Sequence, residues 1–256
     1  MKRDKLYIGC SSYATSSWKN LFYPNELPKK KWFDYYSKHF NTYEFNGTFY
    51  RFPTVQNLLS WSGSVPDDFR FSVKVPKIIT HIKRLEGCKR EIEEFYLISK
   101  EGFKDKLACI LWQLPPSFSF NDDRLTSVVH AMDPNFKNVV EFRHESWWCD
   151  DVITKLSENN VTFCNVNYPY LPTAIQQTTS IGYIRMHGNP QLFHSAYTEE
   201  EVETLYHQVN QVGFKEVFIY FNNTASTAAI INALQLKAIA SRSAYPSGRG
   251  RLVYIF

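Results

Sequence analysis

Short runs of apolar, β-branched and aromatic residues recur along the chain, separated by stretches whose apolar positions repeat at helical spacing. Read as strands, the short runs fall at 6–11, 42–46, 71–75, 108–114, 139–144, 161–167, 182–187 and 217–222. Helical patterning is clearest at 31–39, 55–61, 90–100, 122–131, 150–159, 199–211 and 226–240. Strands that alternate with helices imply parallel βα units. Runs such as ACILWQL and VFIYF are apolar on both faces, as a sheet covered by helices requires. Eight such strands in about 240 residues predict an α/β fold, a single-domain (β/α)8 TIM-like barrel over residues 1–240, with 241–256 as a C-terminal tail. The stretch YPYLPTAIQQTTS, between the sixth and seventh strands, carries no convincing helix. A doubly wound nucleotide-binding sheet is the competing topology, and the GxGxxG turn that usually marks it is absent.

In a barrel of this kind the site forms where the strands end, and alternate residues of a strand share a face. On that rule, strand ends that should be apolar are polar here. They are Glu44 and Asn46, Ser72 and Lys74, Gln113, Glu141 and Arg143, Asn165 and Asn167, Arg185 and His187, and Tyr220 and Asn222. Internal ion pairs such as Glu141–Arg143 or Glu44–Lys74 account for single members of this set. Seven consecutive strands sending polar groups to one rim read better as a site, because buried charge is costly unless it is paired. Lys74, Arg143 and Arg185 outnumber Glu44 and Glu141, so the expected ligand is anionic, and the two guanidinium forks suit carboxylate or phosphate. Asn222, Asn223 and Thr224 open the last helix, where barrels often hold phosphate, although capping alone also explains Thr224. On this reading Glu44 or Glu141 is the base and His187 the acid. Asn46, Lys74, Gln113, Arg143, Arg185, Asn222 and Asn223 bind the anion.

Composition narrows the classes. Hydrophobic residues are 44% and charged residues 21% of 256, ordinary for a globular protein, and the net charge of +4 is spread rather than clustered. Aromatics are abundant: 20 Phe, 16 Tyr and 6 Trp. Those at 18–23, 49–52 and 147–148 fall in loops after strands one, two and five, where they either stack a sugar or base at the mouth or pack the loops together. Five scattered cysteines with no CxxC spacing fit free thiols in a reducing compartment. The start MKRDKLYIGC lacks the apolar run of roughly 7–15 residues that a signal needs, and no run approaches the roughly 18 residues of a membrane helix. A cytoplasmic protein with no membrane partner is expected. No cofactor is called for. Two histidines (His144, His187) with Glu44 or Glu141 form the one divalent-metal alternative, which the neighbouring cations oppose. His81, beyond strand three, is either a lid residue or a surface histidine. No GxSxG, Walker A or HExxH motif is present. The functional classes left are an acid–base enzyme on an anionic or phosphorylated small molecule, a nucleotide or nucleic-acid phosphodiester enzyme, and a non-catalytic binding barrel.

Several blocks carry a resemblance: IGCSSYATSSW with LFYP, then YEFNGTFYRFP, FSVKVPKIITH, LWQLPPSF, EFRHESWW, YIRMHG and YFNNTASTAAIINAL. Taken in this order, from about residue 8 to about residue 236, they resemble the DUF72 (YecE-like) family. The resemblance implies a TIM barrel, in agreement with the strand count, and brings no established reaction. Its signature positions fall here on Glu44, Asn46, Lys74, Gln113, Glu141, Arg143, His144, Arg185, His187, Asn222 and Asn223. Where that family often begins GTSGW, this chain has Gly9-Cys10-Ser11-Ser12-Tyr13.

Overall fold

In the computed structural model, which describes residues 5–244, the eight apolar runs are eight parallel strands joined edge to edge. The order along the chain is β1 (Lys5–Cys10), α1 (Trp32–His39), β2 (Thr42–Phe45), α2 (Gly47–Tyr50), α3 (Val55–Gly63), β3 (Arg70–Lys74), α4 (Lys89–Phe103), β4 (Leu107–Gln113), α5 (Asp122–His130), β5 (Asn138–Glu141), α6 (Asp150–Glu158), β6 (Thr162–Asn167), β7 (Ile181–Met186), α7 (Glu199–Val212), β8 (Glu216–Phe221) and α8 (Ala228–Ala244). The ladder runs β1-β8-β7-β6-β5-β4-β3-β2, so the molecule is a single-domain (β/α)8 barrel, as its sequence pattern predicts. No helix lies between β6 and β7. Helix α8 extends to Ala244, so the first four residues of the expected tail belong to it; residues 245–256 lie outside the described residues.

Local chemistry places the helices. Thr54 and Asn121 accept from the backbone N–H groups of Asn57 (3.2 Å) and Arg124 (2.8 Å), capping α3 and α5. Thr198 and Glu201 form a reciprocal capping box on α7, and Gly213 ends that helix at φ 80°, a left-handed conformation costly for a residue with a Cβ. Strand parity then divides the core. Ile8, Phe71, Val73, Ile110, Val140, Phe163, Ile184, Val217 and Ile219 pack outward among the helices. Tyr7, Cys109, Leu111, Val139, Cys164, Val166, Tyr183, Phe218 and Tyr220 fill the barrel.

The β1–β2 junction differs from the rest. It is closed by side chains in place of a backbone ladder. Tyr36, wholly buried on α1, accepts from Cys10 N (2.7 Å) and donates to Thr42 O (3.1 Å). Asn41 accepts from Ile8 N (3.1 Å) and donates to Leu6 O (2.9 Å). Gly9 permits the close approach, because a Cβ there would sit 2.3 Å from the Thr42 carbonyl oxygen.

Candidate functional site

The C-terminal ends of β2, β3, β4, β5, β7 and β8 bring Glu44, Asn46, Lys74, Gln113, Glu141, Arg143, Arg185, His187 and Asn222 together above the apolar interior. Arg185 is the centre of this cluster. Its Nε and Nη2 donate to Glu44 at 2.7–3.2 Å and its Nη1 to Glu141, with all three side chains fully buried. Arg143 donates through Nε to the other oxygen of Glu141, and Tyr183 donates to Glu44 Oε2 at 2.7 Å. Two guanidiniums thus balance two carboxylates, which is how such charge is tolerated in a barrel interior.

The same contacts set the protonation states. Burial would raise the Glu141 carboxyl, but Arg143 and Arg185 outweigh it and hold Glu141 well below the usual carboxylate range. Burial would likewise lower Arg185, and the two carboxylates instead hold it well above its ordinary value. Burial, reinforced by Arg143, pushes His187 down to about 3, so its ring is neutral at pH 7. Ser11 Oγ donates to Asn222 Oδ1, which turns the Asn222 amide N–H toward His187 Nδ1 at 2.7 Å. His187 Nε2 lies 3.5 Å from Glu141 Oε1, among guanidinium nitrogens of Arg143 (3.3 Å) and Arg185 (3.5 Å).

Lys74 stands apart from this balance. Its expected partner Glu44 is taken by Arg185, and its Nζ donates instead to Gln113 Oε1 at 2.8 Å. The amine lies 3.9 Å from the centre of the Phe49 ring on α2, and the residue is 9% exposed. Burial lowers its pKa, Arg185 lowers it further, and the pull of Glu141 and Glu44 leaves it at about 7. Gln113 also meets His81 Nε2 at 3.3 Å, within the π-helical turn Ile78–Ile82. Burial, with Lys74 and Arg143 nearby, pushes His81 down to about 4. Phe49 and Tyr168, both half-buried, cover the cluster; the Tyr168 ring lies 4.2 Å from the Arg143 guanidinium.

The family-model comparison matches residues 7–249 to "Protein of unknown function DUF72". The chain belongs to the DUF72 family. It is similar to the UPF0759 protein YunF of Bacillus subtilis, 23% identical over 90% of this chain and 93% of that one. It is also similar to the UPF0759 protein YecE of Escherichia coli, 29% identical over 56% of this chain and 50% of that one. Among solved structures, a DUF72 family protein from Thermotoga maritima superposes with a TM-score of 0.83 at 29% identity, covering 93% of this chain and 99% of that chain. One from Enterococcus faecalis shares the fold, with a TM-score of 0.80 at 20% identity over 92% and 95% of the two chains.

In this DUF72 chain strand parity, read from sequence, holds on every polar strand except β6. There Cys164 and Val166 face inward, and Asn165 instead pairs with the backbone of Gln176 (2.7 and 3.0 Å). Asn167 accepts from Tyr197. Asn223 is also directed away from the cluster: its amide donates to Ser195 O and Asn232 Oδ1. His144 caps the 3-10 turn Glu145–Trp147 through Ser146, so the two-histidine arrangement does not form. Among the described residues no three His, Cys, Asp or Glu side chains gather as a metal site. The loop aromatics divide. Trp18, Tyr23 and Trp147 are buried as loop packing, Trp147 stacked on Phe142 at 4.0 Å, and Phe49 alone of these reaches the mouth cluster. Each oxygen of Glu44 and Glu141 accepts from donors among the described residues. Tyr183 and Tyr168 were missed by the sequence reading. The first lies two residues before Arg185 on the same strand face, so parity marks it; the second is in a loop, where no periodicity does. No helix among the described residues is long and apolar enough to cross a membrane, and all five cysteines are free.

Proposed function

We propose that the barrel mouth is the active site of an enzyme acting by acid–base chemistry on a small anionic molecule, with Lys74 as the group that exchanges the proton. The observation carrying this reading is the placement of Lys74. A buried amine at a strand's C-terminal end, unpaired by any carboxylate among the described residues, is tuned to titrate near neutrality. Glu44 and Glu141 then serve to hold Arg185 and Arg143 in place, and neutral His187 orients with Asn222. Arg143 supplies the anion contact. Its Nη1 has no hydrogen-bond partner among the described residues, and its Nε is fixed by Glu141.

Sulfate, which does not itself titrate near neutral pH, tests the reading by calorimetry. Its affinity is expected to fall as pH rises through about 7, where Lys74 loses its proton. Arg143→Ala should weaken it by roughly ten- to a hundredfold, the loss of a charge-assisted hydrogen bond of about 1.5–3 kcal/mol. A sulfate affinity that ignores both pH and Arg143→Ala rules the reading out.

A further inference from the structure

We propose that Lys74 is a covalent nucleophile, whose Nζ forms an imine with the carbonyl carbon of a small anionic aldehyde or ketone. This rests on the anion-binding reading of the mouth and specifies its substrate class. An amine becomes nucleophilic when it is unprotonated, and proteins achieve this by removing it from water beside other cations. Lys74 meets both conditions geometrically. Phe49 covers the amine at 3.9 Å, the residue is 9% exposed, and its one hydrogen-bond partner among the described residues is the neutral amide of Gln113. The charged and titratable groups around it come from every side of the mouth: Glu44 on β2, His81 in the turn after β3, Glu141 and Arg143 on and after β5, and Arg185 on β7. With its pKa at about 7 rather than 10.5, Lys74 has about a thousandfold more free amine at pH 7 than an ordinary lysine.

The remaining polar groups fit a substrate with an anion and a hydroxyl. Asn46 must point its N–H toward Glu44 Oε1 (3.1 Å), because the opposite orientation would set two acceptors together. Its Oδ1 is left buried with no donor among the described residues. A substrate hydroxyl would satisfy that oxygen, while Arg143 Nη1 meets the anionic group. The step balances without a further reactant. The Nζ lone pair attacks the carbonyl carbon and the carbonyl π pair moves to oxygen. That oxygen gains one proton from the ammonium nitrogen formed on attack and a second from a solvent water, and leaves as water. The nitrogen loses its remaining extra proton to return the second, giving C=N and one water from amine and carbonyl.

The intact protein is incubated at pH 7 with pyruvate, and separately with dihydroxyacetone phosphate, in the presence of cyanoborohydride, which reduces an imine to a stable secondary amine. Peptide mass mapping then reads which lysines gain the reduced adduct. The expected result is one adduct, on Lys74, formed at least tenfold faster than on any exposed lysine, and lost in Lys74→Met. The two compounds separate a carboxylate from a phosphate as the anion recognised. Labelling spread over surface lysines with Lys74 unmodified overturns the proposal, and the wild-type map decides this even if Lys74→Met does not fold. Calorimetry on the same samples tells the two failures apart. Sulfate binding that depends on Arg143 without an adduct removes the imine alone, whereas absence of that binding removes the site reading beneath it.

Discussion

At Lys74 and His187 the fold holds two basic groups below their ordinary pKa values, with opposite uses. For Lys74 the unfolded chain binds more protons than the folded one between about pH 7 and 10.5, so its contribution to stability rises with pH across that window. Below pH 7 the folded protein carries the full cost of a buried charged amine. Lys74→Met, similar in volume, should therefore gain melting temperature relative to wild type most at pH 6, with the gain shrinking toward pH 10. A pH-independent difference would mean that Lys74 is not held neutral. Such a gain coupled to loss of adduct formation is the trade expected of a group placed for chemistry. His187 works in the acid range. Its contribution is present above pH 6.5 and lost as pH falls toward about 3. His187→Gln should flatten the fall of stability between pH 6.5 and 4 seen in urea unfolding; an unchanged slope would place the acid sensitivity elsewhere.

At the scale of elements, the strands were legible because each is a short run apolar enough to be covered on both faces, and the helices because their caps and spacing are regular. The polar rim was legible for the same reason of period: Glu44, Glu141 and Arg185 interrupt inward positions that are otherwise apolar. Where parity failed, in β6, a local demand outweighed it. The β6–β7 link has no helix to tie it down, and Asn165 is used to hold Gln176 by both its backbone groups. Nor does any sequence period state which partner a charge will take, so the exchange of Lys74 for Arg185 beside Glu44 emerged only in three dimensions. The roles of Tyr36 and Asn41 at the β1–β2 junction were likewise invisible, since one reads as an ordinary helix aromatic and the other as a loop polar residue. Tyr36→Phe should cost about 1–3 kcal/mol, because Cys10 N–H and Thr42 C=O are then buried without a partner. Chemical denaturation checks it, and a cost near zero would show that another group or water satisfies them.

For the whole molecule, the eight-stranded ladder begins at β1 and ends at β2, and the two termini of that ladder meet at the mouth as well as along the wall. Ser11, just beyond β1, donates to Asn222, and its carbonyl accepts from Asn46, just beyond β2, at 3.4 Å. Asn46 in turn holds Glu44, and Asn222 holds the His187 ring. The barrel is therefore a curled sheet fastened by a latch, and the latch shares atoms with the charge cluster. Parting β1 from β2 would separate Ser11 from Asn46, release one donor from Glu44 and free the amide that holds the histidine ring. Closure of the cylinder and the arrangement of its mouth share Ser11 and Asn46, so a substitution in the wall at Tyr36 or Gly9 is expected to act on the site without touching it.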